Sequence, residues 1–448
     1  MKVLIAVHHF PPSFDGGAEW RAYRTAKGLQ REGHQVQVAY VDSISHGDGH
    51  TLDYTDTFYD GIPVRRLCFN LAQAPEPFRW SFRNPLIGQH LSALLEEFGP
   101  DVLHLISGYL MTGSAIEAAQ SAGVPVVLTL TDFWFLCPRT TLIRSDGTLC
   151  YSVPTDPLEC LLCLRKERRR YRLPDQLSRG LLGRLLLWFW HLRDDGSTRG
   201  NSGLGQGLRE RRSYLLPLLN TVDIVISPSQ FLKNLFVAQG VRPRHFLYCR
   251  QGLDMESWVP AEPVSSDSHL RIGYIGQIAS HKGVDILVEA FARLRPGERR
   301  PRLLLYGDLD KFPTFVQKLR RQVRGRNDII FAGRFDNPRI GQVHAGLDVL
   351  VVPSVWYENS PNVILEAFAF GTPVIVSDVG GMAELVQDEG NGLHFKVGDS
   401  KDLARQLQRI VDQPVLLEIL KQGMLPVKTV KEEMAELVQI YHSVVERS

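Results

Sequence analysis

Short apolar runs alternate with segments of helical period along most of this chain, and that alternation constrains its fold more than any other feature. Val3 to Val7, Val36 to Tyr40, Val102 to Ile106 and Val126 to Leu130 are each too short for a typical helix, and Ala18 to Gln30 carries helical spacing between the first two. Strand, crossover helix, strand is the repeating unit of a parallel sheet. After a polar break at Pro260 to Ser268 the pattern restarts with Leu270 to Ile275, Arg302 to Tyr306, Ile329 to Ala332, Val349 to Val352 and Val374 to Val376. Between the first two of these, Ile286, Leu287, Ala290, Phe291 and Leu294 fall on one helical face, with Asp285 near the helix start. The expectation is an α/β chain of two doubly wound domains, since 448 residues exceed what one core usually serves. The first domain is expected over residues 1–252 and the second over 253–425. A closing helix, 426–448, is expected to return to the first domain, and a cleft between the domains is the expected ligand site.

The balance of 44% hydrophobic and 22% charged residues excludes a wholly disordered, fibrous or membrane-embedded chain, and a net charge of +2 gives no general preference for polyanions. Met1 to Val7 meets His8, His9 and Pro11 too soon for a signal peptide and reads as a buried first strand. With no run of 18 apolar residues, no helix is expected to span a bilayer, and the expected compartment is the cytoplasm.

An insertion at about 137–215 departs from the alternating pattern. Four of the six cysteines, Cys137, Cys150, Cys160 and Cys163, fall there with 12, 9 and 2 residues between successive members. Four thiolates with a C-x2-C pair fit a tetrahedral structural zinc site; separately buried thiols are the alternative. From Leu164 to Arg212 there are 13 Lys or Arg against 5 Asp or Glu, around an apolar patch containing Leu181, Leu182, Leu185, Trp188, Phe189 and Trp190. Basic residues interleaved with aromatics suit an anionic membrane surface, which would place the protein peripherally on the cytoplasmic face. The competing reading is a solvated helix pair whose leucines enter the core. No nucleic-acid recognition pattern accompanies the arginines. Gly196 to Gly207 reads as a flexible loop.

The densest chemistry lies in Pro353 to Ala367, directly after an apolar strand. Ser360 is a good N-cap and Pro361 a good first helical residue, so the amides of Asn362 and Val363 would present a helix N-terminus to an anion such as a diphosphate. Glu366, four residues beyond Asn362 and about 6 Å along the axis, sits at the step from diphosphate to ribose. Glu358, just before the helix, would repel a diphosphate unless turned toward hydroxyl donors, so a sugar ring is its natural partner. Gly273 to Gly283 is a strand running into a glycine-bounded loop, and Lys282 there can neutralise a departing diphosphate at the carboxyl end of a strand.

Glu358 with Glu366, the Lys282-Gly283 loop and Asp378-Val379-Gly380-Gly381-Met382-Ala383-Glu384 occur in an order that resembles the retaining glycosyltransferases of GT-B fold, family four. The resemblance is strong over about 270–400 and extends to Phe14-Asp15-Gly16-Gly17-Ala18-Glu19. It implies two Rossmann-like domains, an N-terminal acceptor domain and a C-terminal donor domain. It implies transfer of a sugar, with retention, from a nucleotide-diphosphate sugar to a glycan or lipid-linked glycan, with no catalytic cofactor and no metal at the diphosphate. It assigns Glu358 to the donor sugar, Glu366 to the ribose and Lys282 to the diphosphate. Gly16 and Gly17 would bring backbone close to the diphosphate. Gln277 stands where the family commonly has an arginine, five positions before the lysine. Thr131 stands where it commonly has a histidine, with Asp132 as the substitute candidate. A GT-B-fold epimerase or phosphorylase, or a non-catalytic nucleotide-sugar-binding protein, are the alternatives. His8, His9 and His104 end strands and either line the cleft or are satisfied imidazoles.

Overall fold

The computed structural model describes residues 1–14, 16–178, 180–192, 202–262 and 269–446. Asp15, the first half of the glycine-rich stretch at 196–201 and the end of the polar break at 263–268 lie outside the described residues.

Two separate sheets form. In the first, Lys2–Val7 (β1), Gln35–Ser43 (β2), Leu52–Tyr59 (β3), Ile62–Phe69 (β4), Val102–Ile106 (β5), Val126–Thr129 (β6), Ile224–Ser227 (β7) and His245–Tyr248 (β8) run in the order β3-β4-β2-β1-β5-β6-β7-β8. All neighbours are parallel except β3 and β4, a hairpin turning at Asp60 and Gly61, both with positive φ. Val3 lies opposite Val36 on one side and Val102 on the other, and Val3 through Val7 are fully buried. Such unbroken apolar runs are what a strand covered on both faces requires. The second sheet is parallel throughout: His269–Ile275 (β9), Arg300–Tyr306 (β10), Ile329–Gly333 (β11), Val349–Val352 (β12), Val374–Ser377 (β13) and Gly392–Phe395 (β14), in the order β11-β10-β9-β12-β13-β14. Strand order reverses between β9 and β12, the topological switch point at whose carboxyl edge doubly wound sheets hold ligands.

One compact unit comprises 1–228, 232–249 and 434–448, and the other 229–231 and 250–433. The last residues therefore belong with the first sheet. Tyr441 is fully buried there, and its hydroxyl meets His104 Nδ1 at 2.6 Å while His104 Nε2 meets Thr129 Oγ1 at 2.8 Å. His104 is thus a satisfied core imidazole, held to a pKa of about 3 by burial.

Between β6 and β7 the described residues of the insertion form four helices, Pro157–Arg165, Arg169–Leu177, Leu181–Leu192 and Ser202–Asn220. Its first and last helices share a small cluster: Leu158, Leu161 and Leu208 are buried together, with Phe78, Leu187 and Trp190 against them. Ser202 to Gly207, expected as loop, is instead the start of a helix. The reason is packing, since a Cβ on Gly205 would touch Leu161 and Leu158 and one on Gly207 would run into the ring of Phe78. Among the described residues no helix is long and apolar enough to cross a membrane.

Candidate functional site

In the second unit three loops meet at the carboxyl ends of β9, β12 and β13. The first, after β9, ends at Gly283, whose φ of 69° suits glycine and whose absent side chain lets the backbone close onto the carbonyl of Pro353. The second follows β12, and the Val355 amide donates to the His281 carbonyl at 3.0 Å, tying these two loops together. The third, after β13, sends the Gly381 amide to the Glu358 carbonyl at 2.7 Å, and a Cβ on Gly381 would run into the carbonyl of Asn359. The three motifs singled out in the sequence are thus one structure, fixed by backbone contacts.

Lys282 Nζ lies 2.5 Å from Glu358 Oε1, with the two side chains 22% and 14% exposed. Ser354 Oγ donates to that same oxygen at 3.0 Å and Trp356 Nε1 at 2.7 Å. All three donors converge on Oε1, so Oε2 accepts no bond among the described residues and can serve a ligand hydroxyl. Burial alone would raise the pKa of Glu358, but the charge of Lys282 and the hydrogen bonds from Lys282, Trp356 and Ser354 outweigh it and hold the carboxyl below its ordinary 4.5. The Lys282 ammonium also sits 5.0 Å from the centre of the Trp356 ring, a cation–π contact that steadies it. Tyr274 lies beneath, buried, its hydroxyl donating to the Gln277 carbonyl at 2.6 Å. Burial first, and the Glu358 charge second, push the Tyr274 hydroxyl well above its usual range, so it stays neutral.

The helix after Glu358 is Asn362–Ala369, one residue shorter at its start than expected, and Ser360 is not its cap. Pro361 occupies the capping position in an extended conformation, φ −68° and ψ 119°, and its ring offers no oxygen to the helix. The first amide to bond backward is that of Ile364, to the Pro361 carbonyl at 3.1 Å. The amides of Asn362 and Val363 are therefore not capped by a side chain, which leaves the helix's positive end to an anion. The Ser360 hydroxyl is buried and has no hydrogen-bond partner among the described residues. The Asn362 side chain accepts from Gln251. Glu366 lies half-buried on the same helix, one turn beyond Asn362. Ser354 and Trp356, which hold the carboxylate, are partners that the motif alone does not reveal; their alternate spacing with Glu358 is the signal that points to them.

In the first unit Gly16 precedes the helix Gly17–Arg31, and the Trp20 amide bonds back to its carbonyl at 3.1 Å. A Cβ on Gly16 would overlap the Glu19 carboxylate, whereas one on Gly17 would meet nothing within 4 Å. Glu19 is buried and pairs with His8 Nε2 at 3.4 Å; the His8 ring meets Tyr109 edge-on, with centroids 5.5 Å apart. His9 stacks on Phe14 at 3.7 Å and bonds the Val41 carbonyl through Nδ1 at 2.7 Å. Asp132, just after β6, accepts from Ser107 Oγ at 2.6 Å, from Thr131 Oγ1 at 3.3 Å and from the Trp134 amide at 2.7 Å. Ser107, Leu110 and Thr112 all carry positive φ near 60°, so the chain after β5 is held in a strained course beside Asp132.

The four cysteines of the insertion line one cavity of about 180 Å³, and none is in a disulfide. In this arrangement no three His, Cys, Asp or Glu side chains among the described residues already converge as metal ligands. Of the leucine and Trp-bearing helix Leu181–Leu192, one side packs on the small core through Leu187 and Trp190, while Leu181, Leu185 and Trp188 stay about 60% exposed.

Two family profiles match this chain: Glycosyl transferases group 1 over residues 269–413 and Glycosyl transferase 4-like domain over residues 16–151. An uncharacterized glycosyltransferase of Methanocaldococcus jannaschii is 30% identical over 145 residues, 32% of this chain and 36% of that protein. The D-inositol 3-phosphate glycosyltransferase of Stackebrandtia nassauensis is 31% identical over 36% of this chain and 39% of its own length, so both of these relatives are matched over little more than a third. The glycogen synthase of Mycobacterium tuberculosis is 28% identical over 92% of this chain and 87% of its own length. Among solved structures, Anabaena HepE in complex with UDP superposes with a TM-score of 0.63 at 18% identity, covering 99% of this chain and all of the other. A glycosyltransferase of Rickettsia africae reaches 0.65 at 15% identity over 100% of this chain and 99% of the other. At such identities the structures speak to fold alone, and they share the two doubly wound sheets seen here. Profiles covering more than half of the sequence, and the fold, agree: the chain belongs to the group 1 glycosyltransferases of GT-B fold.

Proposed function

We propose that this chain transfers a sugar, with retention of configuration, from a nucleoside diphosphate sugar to a glycan or lipid-linked glycan hydroxyl. The observation that carries the proposal is the Lys282–Glu358 pair, with its three donors gathered on one carboxylate oxygen and the second oxygen left open. In this reading Oε2 of Glu358 accepts from a sugar hydroxyl, and the remaining N–H bonds of Lys282 turn to the diphosphate. The amides of Asn362 and Val363 and the hydroxyl of Ser360 take phosphate oxygens, while Glu366 takes the ribose hydroxyls. As the sugar leaves, negative charge grows on the diphosphate, and in this reading Lys282 and the helix N-terminus supply the positive charge that meets it. Gln277 adds a neutral donor where a second cation would lower the barrier further. On the acceptor side Asp132, ordered by Ser107, Thr131 and the Trp134 amide, is the candidate proton acceptor.

HepE holds UDP and UDP-glucose, which makes these the first probes for this chain. Nucleoside diphosphate released from a panel of nucleotide sugars should fall by about 10²–10³ in Glu358→Gln, with the anomeric configuration of the product read by NMR. Nucleotide binding without turnover would instead make the chain a binding protein, and an inverted product would remove retention from the account.

The exposed face of Leu181–Leu192, flanked by the arginine-rich Arg165 to Arg172, supports a peripheral place on an anionic membrane. Sedimentation with phosphatidylglycerol vesicles should weaken in Trp188→Glu with Leu185→Glu. Unchanged sedimentation of that variant would refute the membrane role.

A further inference from the structure

We infer that Cys137, Cys150, Cys160 and Cys163 form a four-thiolate site for a structural zinc ion. Three separate stretches of chain bring them to one cavity. Cys137 lies in the turn after β6, where its amide bonds the Phe133 carbonyl at 2.7 Å. Cys150 follows a short hairpin bridged at Ile143 and Leu149, and its amide bonds the Leu142 carbonyl at 2.8 Å. Cys160 and Cys163 stand one turn apart on the helix Pro157–Arg165, on the same face. Four sulfurs from a turn, a hairpin and one helix match the ligand number and type that a closed tetrahedral zinc site takes.

Arg211 points to a negatively charged partner beside this cavity. It is only 4% exposed, its bonds go to the carbonyls of Trp134 and Phe135, and no carboxylate pairs with it among the described residues. A buried guanidinium without a directly paired carboxylate is costly. Cys137, Cys160 and Asp132 are, in that order, its favourable electrostatic neighbours, so a zinc tetrathiolate, with two net negative charges, would add to what Asp132 supplies.

Leu158, Leu161 and Leu208 pack the first helix of the insertion on the last, and a metal would tie that first helix to the turn at Cys137 and the hairpin at Cys150 as well. Since no three ligands already converge, binding draws the sulfurs inward from the cavity wall to about 2.3 Å from the ion, each cysteine giving up its proton. Cys137 is five residues after Asp132 in one continuous turn, so the metal would anchor the segment that presents Asp132. The site shares no residue with the Glu358 loops and stands or falls without them.

The full chain, purified without chelators, should carry about one zinc per molecule by elemental mass spectrometry, as a closed four-ligand site requires. Cobalt exchanged into it should show the absorption of tetrahedral Co²⁺ with sulfur-to-metal charge transfer. Cys160→Ser with Cys163→Ser should lose at least about nine-tenths of the metal and melt earlier, because zinc that binds only the folded state adds to its stability. The wild-type cobalt spectrum needs no variant, so poor folding of the double variant does not weaken the test. Chain without zinc, disulfides among these cysteines by mass spectrometry, or a cobalt spectrum without sulfur charge transfer would each overturn the assignment.

Discussion

The loops around Glu358 and the cysteine-bearing insertion both hold irregular backbone in place, and they do it differently. Around Glu358, glycines let strands' ends approach until backbone bonds backbone, as with Gly381 and the Glu358 carbonyl. In the insertion, helices pack through a few leucines and side-chain chemistry gathers at the cysteines and Arg211. One region is set by the sheet beneath it, the other by groups it carries itself. Pressing on each should therefore give different signatures.

The largest effect is expected at the ion pair. Lys282→Ala should lower sugar transfer by about 10²–10³ by removing the charge that we propose faces the diphosphate. It should also cost stability, since a buried carboxylate is left without its ammonium; removing one partner of a buried pair costs about 3–5 kcal/mol. Denaturant titration beside the activity assay separates the two, and an undiminished midpoint would show that Lys282 matters to the ligand alone.

Gly283→Ala should come next, at about 1–3 kcal/mol, because it adds left-handed strain to a clash with the Pro353 carbonyl. Gly17→Ala, where a Cβ meets nothing, should stay within about 0.5 kcal/mol. Equal melting curves for the two variants would break the claim that close backbone approach builds the loops around Glu358.

Acid should act on the same loops. Glu358 has a folded pKa below its unfolded one, so its contribution to stability is fully present above pH 4.5 and is lost as pH falls through the lower folded value. Unfolding curves taken between pH 6 and about 3 should fall less steeply for Glu358→Gln than for the parent. Parallel curves would mean that the Lys282 and Trp356 bonds do not favour the charged carboxylate.

The smallest effect is expected at Ser360. Its hydroxyl bonds nothing among the described residues, so Ser360→Ala should leave the melting temperature nearly unchanged. Nucleotide affinity should weaken by about 0.5–1.5 kcal/mol, the net worth of one hydrogen bond, as read by calorimetry.

Much of this architecture was legible in the sequence because strands covered on both faces must be apolar throughout. β5 and β12 begin and end where their apolar runs do. The hairpin β3–β4 was not legible for the opposite reason: β3 is exposed along nearly all its length, so Leu52 to Tyr59 shows no apolar run. The loops around Glu358 were readable because Glu358, Lys282 and Gly381 are a matter of residue type and order. Their supports were harder, since Trp356 and Ser354 matter through the one oxygen on which they meet. The helix start went wrong at Ser360 because Pro361 takes an extended ψ, a choice set by the loop it closes. Ser202 to Gly207 misled in turn, because glycine there serves helix contact instead of chain flexibility.

The most direct test of the donor site is a calorimetric titration of UDP, GDP and ADP into the parent chain and into Lys282→Ala. One nucleotide should bind the parent, and the variant should bind it at least about tenfold more weakly, the 1.4 kcal/mol that a lost charge-assisted contact is worth at minimum. Equal affinity in the two proteins, or no binding of any of the three, would contradict the account.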